Sequence, residues 1–208
     1  RVDYFNDSAY EAVMDAGRER GFIYNYTPTT IRVKTLAQGQ SILRSYDYTP
    51  RANPIMYAQT FVAHRSFVGN KDRNPYLFRQ PPNLNRIYNW FNGELVGEQT
   101  PIVFDDNGVG LKQLYINNLN ALEIDQYSRG LTWSYKDMDR GFFFKIVSLK
   151  PSTDSNDLNP ITRAGPHSYE VQLSQNADQA YSFLTYTQYE TAQIIIHEDG
   201  TVVNTFMI

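Results

Sequence analysis

The run SYEVQLSQNADQAYSFLTYTQYETAQIIIHEDGTVVNTFMI, residues 168–208, decides the fold class. It contains the β-rich segments SYEVQL, YSFLTYTQYE, TAQIIIHE and TVVNTFMI, separated only by short turn-prone breaks. Asp199-Gly200 between the last two is the strongest short hairpin signal in the chain. Strand follows strand here with no room for a crossover helix, which excludes a βαβ sheet and predicts a sandwich or barrel.

Working back towards the N-terminus, GFFFKIVSL and LTWSY continue the strand pattern, and the break from Lys150-Pro151 to Asn159-Pro160 is rich in turn formers. A helix is predicted over 111–122, where Leu111, Leu114, Tyr115, Asn118, Leu119 and Leu122 follow i, i+3, i+4 spacing. PIVF (101–104) is a short apolar stretch before the turn cluster DDNGVG, and LNRIYNWFN (84–92) reads as a strand ended by Gly93. Residues 71–83 are irregular, because Asn74-Pro75 and Pro81-Pro82 force turn or extended geometry. IMYAQTFVAHRSF is predicted to be one long strand ending near Gly69. In TTIRVKTL (29–36), Ile31, Val33 and Thr35 alternate with Arg32, Lys34 and Leu36, and SILRSYDY after Gln38-Gly39 reads as the return strand of a hairpin. Asn6-Asp7-Ser8 before Ala9, with Gly21 at the other end, punctuate a short helix.

The organisation expected is a connector over 1–53, carrying a short helix and a hairpin, followed by a β-sandwich over 54–208. The sandwich core is predicted from Ile31, Val33, Phe61, Ile87, Trp133, Phe143, Ile146, Val171, Leu173, Phe183, Leu184, Ile194, Ile196 and Val202.

A chain of 208 residues buries roughly 70% of its unfolded surface, enough for a core without staples. It has no Cys, which removes disulfides, thiolate metal sites and cysteine nucleophiles and leaves the redox compartment open. The 19 basic and 22 acidic residues are scattered without runs, so no net field draws a polyanion and nucleic-acid specificity is not expected. No segment approaches the ~18–20 apolar residues of a membrane-spanning helix, and Arg-Val-Asp-Tyr at the start is not a signal peptide. The 16 Tyr and 12 Phe suit pleated, half-buried surfaces.

Chemistry is sparse. His64, His167 and His197 lie far apart without metal-ligand spacing, so each is read as a packed or partly exposed histidine with a local partner. The carboxylates Asp105-Asp106, Asp137 with Asp139, Asp154 with Asp157, and Glu198-Asp199 fall in turns, where solvation keeps paired carboxyls from diverging in pKa. No EF-hand, P-loop, dinucleotide or nucleophile-elbow motif is present. Hence no catalytic, cofactor-binding or metal residue and no cofactor is assigned. Tyr88, Trp90 and Phe91, and Phe142, Phe143 and Phe144, could line a carbohydrate or peptide groove. Side chains alternate along a strand, however, so each triplet serves both faces of a sheet, as expected where one face meets a second sheet and the other a neighbouring subunit.

The order of these features carries a resemblance. FVGNKDRNPYLFRQPPNLNRIYNWFNGELV, with Gly69, Asn74-Pro75, Phe78, Ile87 and Asn92-Gly93, resembles the entry into the second jelly roll of double-jelly-roll major capsid proteins of the Polinton, adintovirus and virophage type. GLTWSYKDMDRGFFFKIVSL resembles the family's polar strand, Asp, Gly and aromatic strand, and SYEVQLSQNADQAYSFLTYTQYETAQIIIHEDGTVV its closing strands. YNYTPTTIRVKTLAQGQSILRSYDYTPRANPIMYAQTF is similar to the connector between the two jelly rolls. The family's Asp-Leu-Thr-Pro loop is replaced here by Ser148-Leu149-Lys150-Pro151, and its Gly-Asn-Leu pattern by Ala164-Gly165-Pro166-His167.

The resemblance implies an all-β jelly-roll sandwich with one or two short helices, acting as a structural, non-enzymatic capsid module. It further implies homotrimers of pseudo-hexameric outline, contacts with other capsid subunits and with penton or cement proteins, and a place in the virion after assembly in the host cell. Since 208 residues cannot hold two jelly rolls, a fragment or cleaved product is expected. The alternative from the residues alone is a β-sandwich carbohydrate- or ligand-binding module; an enzyme on the same scaffold would need converging His or carboxylate groups.

Overall fold

The computed structural model describes residues 7–49, 53–70, 72–97, 102–105, 108–122, 134–149, 165–197, 199 and 201–206. It divides into two compact units, one formed by 29–188 and the other by 1–28 with 189–208.

The larger unit is built on two four-stranded sheets. One has the order β2(Thr29–Leu36), β9(Tyr181–Tyr189), β4(Pro54–Ala63), β7(Lys145–Ser148); the other has β3(Ile42–Thr49), β8(Gly165–Leu173), β5(Leu84–Phe91), β6(Glu94–Leu95). The ladders are antiparallel and nested: β2 pairs with β9, β3 with β8, β4 with β7 and β5 with β6. The chain is thus one long hairpin with its tip at the Asn92-Gly93 turn, rolled so that its pairs alternate between two sheets. Eight strands connected in this way form a jelly roll.

The expected hairpin of TTIRVKTL with SILRSYDY is therefore a correction. β2 and β3 lie in different sheets, and the link between them is an arch. Gly39 takes φ +84° there, its N–H bonds Ala177 O at 2.9 Å, and Ala177 N–H bonds Gln40 O at 2.9 Å. These long-range bonds replace the local ladder that a hairpin would have made.

β-rich residues at period two explain why part of the core was readable. In β9, Tyr181, Phe183, Thr185, Thr187 and Tyr189 are all buried; Phe183 packs on Phe61 and Tyr169 with ring centroids 4.7 and 4.9 Å apart. Phe61, Ile87, Phe143, Val171, Leu173 and Phe183 are buried as expected; Ile194 and Ile196 are half-buried, and Ile146 and Leu184 are corrections, half-buried on the outer face because Lys145 and Val147 of β7 and Phe183 and Thr185 of β9 take the inward positions. Trp133 lies outside the described residues.

Ile31 and Val33 are corrections, at 65% and 38% exposed. The register sets Val33 opposite Leu184 and Lys34 opposite Phe183, and residues directly opposite share a face. Arg32, Lys34 and Leu36 therefore face inward, and Ile31 and Val33 face outward. A one-residue difference in phase exchanges the two faces of a strand. Val202, also expected inside, is 60% exposed, on the edge strand of the smaller unit.

Four helices are described: α1(Asp7–Arg20), α2(His64–Phe67), α3(Val109–Ala121) and α4(Tyr135–Arg140). α1 and α3 match the two expected; α2 and α4 are additional and short. α2 ends β4 at Ala63, so the long strand expected to reach Gly69 stops early, where His64 N–H turns to bond Ala180 O at 2.9 Å. α4 takes over Tyr135 at the end of LTWSY, because Ser134 and Asp137 form a capping box. β8 starts at Gly165, within what was expected to be loop, since Gly165 and Pro166 pair with Thr49 and Tyr48.

The smaller unit joins α1 to an antiparallel sheet of order β1(Phe22–Tyr26), β10(Ala192–Ile196), β11(Val202–Phe206). The hairpin expected at Asp199-Gly200 is present, with Ile196 opposite Val202 and His197 N–H bonded to Thr201 O at 2.9 Å.

Candidate functional site

The polar side chains of the larger unit converge between the two sheets. β4 aims Gln59 inward, β5 aims Asn89 inward, and their amides bond reciprocally, Gln59 Nε2 to Asn89 Oδ1 at 2.6 Å and Asn89 Nδ2 to Gln59 Oε1 at 3.0 Å. Asn89 Oδ1 also stands 3.1 Å from His167 Nε2, and the His167 ring stacks on Tyr57 at 3.7 Å. His167 is 3% exposed. Burial, with a smaller contribution from the Arg32 charge, pushes its pKa down from 6.5 to about 3. It is a neutral packing element at ordinary pH.

Lys145, 1% exposed, lies inside the apolar run FFFKIV and donates from Nζ to Ile87 O at 3.1 Å. Between β2 and β3, Arg32 Nη1 reaches Asp47 Oδ1 at 2.9 Å. Beside it the Tyr169 hydroxyl is buried, which raises its pKa. Gln59, Asn89, His167 and Lys145 thus bond to one another or to backbone and join the two sheets.

The remaining sequence candidates are dispersed. His64 Nδ1 stands 3.0 Å from Ser182 Oγ, a contact separate from that of His167. His197 follows β10 in the smaller unit. Asp137 accepts from Ser134 Oγ at 2.7 Å and from Ser134 N–H at 2.8 Å, and these bonds hold its carboxyl below the usual range. It is the N3 partner of Ser134, the N-cap of α4. Asp105 accepts from Val109 N–H at 3.1 Å at the start of α3, and Asp199 accepts from Thr201 N–H at 2.8 Å in the β10–β11 turn. Asp106, Asp154, Asp157 and Glu198 lie outside the described residues. Among the described residues no three His, Asp or Glu side chains are grouped to hold a metal ion, and no helix is long and apolar enough to cross a membrane.

A cleft of about 690 Å³ opens between the Gln80–Leu84 segment, α3 and α4, lined by Lys112, Lys136, Arg140, Asp105, Asp139 and Tyr135 among others. Both signs of charge are interspersed around it.

The aromatic triplets divide between faces as the alternation requires. Phe91 and Phe143 are buried, Tyr88 and Trp90 stack on the outer face at 5.5 Å, and Phe142 is 53% exposed. On that outer face the registers place Tyr46, Ser168, Trp90 and Leu95 in one row across β3, β8, β5 and β6. Arg44 and Glu170 form an ion pair in the next row. The one prior signal for the buried polar cluster was a charged residue, Lys145, within an apolar strand; the pairing of Gln59, Asn89 and His167 had none.

Fold and site together define a jelly-roll sandwich whose interior chemistry is packing. No protein-family model matches the chain, and no curated protein sequence matches it. Among solved structures the chain is similar to the mavirus major capsid protein, with a TM-score of 0.48 and 10% identity over 90% of this chain and 42% of that one. It is also similar to a chain of the Sputnik virophage cryo-EM structure, with a TM-score of 0.45 and 12% identity over 90% of this chain and 39% of that one. The chain therefore spans about two fifths of the length of these matches.

Proposed function

We propose that this chain is a structural, non-enzymatic module of a viral or virus-like capsid, which associates through its outer surfaces into trimers of pseudo-hexameric outline. The observation that carries the reading is the nested ladder, β2 with β9, β3 with β8, β4 with β7 and β5 with β6. This topology is shared by viral capsid domains, lectins and cupins. Within that set, the order of motifs in the sequence resembles the second jelly roll of double-jelly-roll major capsid proteins.

Two further features support the reading. The buried polar groups Gln59, Asn89, His167 and Lys145 bond to one another or to backbone. The outer face carries apolar side chains in quantity, with Tyr46 at 66%, Ile42 at 48% and Leu95 at 37% exposed, which is contact surface for a neighbouring subunit. Other capsid subunits, including penton or cement proteins, are the partners of this reading, and the virion assembled in a host cell is its location.

Light scattering over a range of concentrations, with electron microscopy of the same sample, tests it. Trimers or closed assemblies are the expected result. A monomer at the highest concentrations, unchanged by Tyr46→Ser or Trp90→Ser, would count against assembly through this face.

A further inference from the structure

Among the described residues, Ser45 Oγ, Asp47 Oδ2, Tyr169 Oη and Thr185 Oγ1 are buried oxygen atoms without a hydrogen-bond partner, and they meet between the two sheets of the larger unit. Ser45 lies opposite Tyr169, and Asp47 opposite His167, across the β3–β8 ladder. In the facing sheet Thr185 lies opposite Arg32 across the β2–β9 ladder, and Arg32 reaches over to Asp47 Oδ1 at 2.9 Å. Ser45 and Thr185 stand close enough to the Tyr169 hydroxyl to act on its ionisation, as do the charges of Asp47 and Arg32, yet none of the four orphan oxygens closes a direct hydrogen bond. Asp47, Tyr169 and Thr185 are 5%, 1% and 1% exposed.

Buried polar atoms in folded proteins are almost all satisfied, and groups held just beyond direct contact are joined through a bridging molecule. The chemistry of this set selects the bridge. In its pair with Arg32, Asp47 offers Oδ2 only as an acceptor, whereas the three hydroxyls can each donate and accept. The Arg32–Asp47 pair already balances the charge. An added cation would meet Arg32 and an added anion would meet Asp47, and an unpaired charge in the interior is costly. A small neutral molecule that both donates and accepts is what the four atoms can satisfy together.

We infer that Ser45, Asp47, Tyr169 and Thr185 form a binding site for one internal water molecule, which joins β3 and β8 to β9 in the facing sheet. The water donates to Asp47 Oδ2 and to one hydroxyl and accepts from the others, which fills the coordination of a buried water. It takes the carboxylate oxygen that Arg32 leaves unused, so ion pair and water make one continuous polar link between the sheets. The site uses no residue of the outer face proposed for self-association.

The test uses the full chain, with water itself as the probe. Oxygen-17 relaxation dispersion counts the water molecules held for longer than the protein takes to tumble, and exchange of hydroxyl protons does not enter the count. The triple variant Ser45→Ala, Tyr169→Phe, Thr185→Val is expected to lose about one such water relative to the parent chain. Tyr181→Phe should lose none, because the Tyr181 hydroxyl already donates to Asp178 Oδ1 at 2.8 Å. A thermal melt checks that each variant is folded. Independently of any variant, a crystal structure of the parent chain should show a single density peak about 2.5–3.0 Å from Asp47 Oδ2 and from at least two of the three hydroxyls. An unchanged count in the folded triple variant, direct hydrogen bonds among the four side chains with no peak between them, or a peak coordinated as a metal cation with oxygen contacts at about 2.4 Å would each overturn the inference.

Discussion

His167 is a weak base held neutral between two sheets, and this makes stability depend on pH. Its folded-state pKa of about 3 lies below the ordinary 6.5 because burial disfavours the cation and Arg32 adds a like charge. The unfolded chain therefore takes up a proton first as pH falls. The histidine's contribution is complete above pH 6.5 and declines between 6.5 and about 3, with a loss of about 2 kcal/mol at pH 5. Urea titrations at pH 8 and pH 5 should show that loss in the parent chain and a reduced one in His167→Gln. Gly165 gives a second residue-scale expectation. A Cβ there would collide with the Asn92 amide, and Asn92 with Gly93 forms a turn with φ of 52° and 85°. Gly165→Ala should cost about 1–3 kcal/mol by overpacking in a thermal melt. Asn92→Gly on the same background should recover most of it, since the clash is removed where glycine suits the backbone.

At the scale of elements, α3 holds the edge of β7. Asn118→Ala leaves Phe144 C=O and Ile146 N–H without their side-chain partner and should cost about 1–3 kcal/mol. Hydrogen exchange should show a local effect, with the Ile146 amide losing protection before those of β8 and β9. The sequence showed this helix by the spacing that includes Asn118, but nothing local marked Asn118 as the residue that seals the edge. Propensity scores a residue against its local backbone, and the partner of Asn118 is a strand 26 residues away in sequence. The arch at 37–41 was misread for a related reason. Two β segments with a short link satisfy a hairpin pattern locally, and only the pairing of each with a distant strand, β2 with β9 and β3 with β8, separates the two outcomes.

At the scale of the molecule, the larger unit depends on rings that join its sheets. Phe183 contacts Phe61 from its own sheet and Tyr169 from the facing one. Phe183→Ala should cost about 3–5 kcal/mol in denaturant unfolding. A smaller loss is expected at Leu184→Ala, because Leu184 is half-buried on the outer face and leaves no interior cavity.

The amino-acid sequence by itself determined the all-β class, the terminal hairpin, the helices near 7–20 and 109–121, and the inward Phe61, Ile87, Val171, Leu173 and Phe183 of β4, β5, β8 and β9. Period-two burial and turn chemistry are local properties, written in consecutive residues. Tertiary structure alone decided the phase of β2, the arch, the end of β4 at His64 and the interior association of Gln59, Asn89, Lys145 and His167. Each depends on which distant strand lies opposite. An inward Arg32 or a neutral His167 is stable only once Asp47 or Tyr57 and Asn89 have been brought against it.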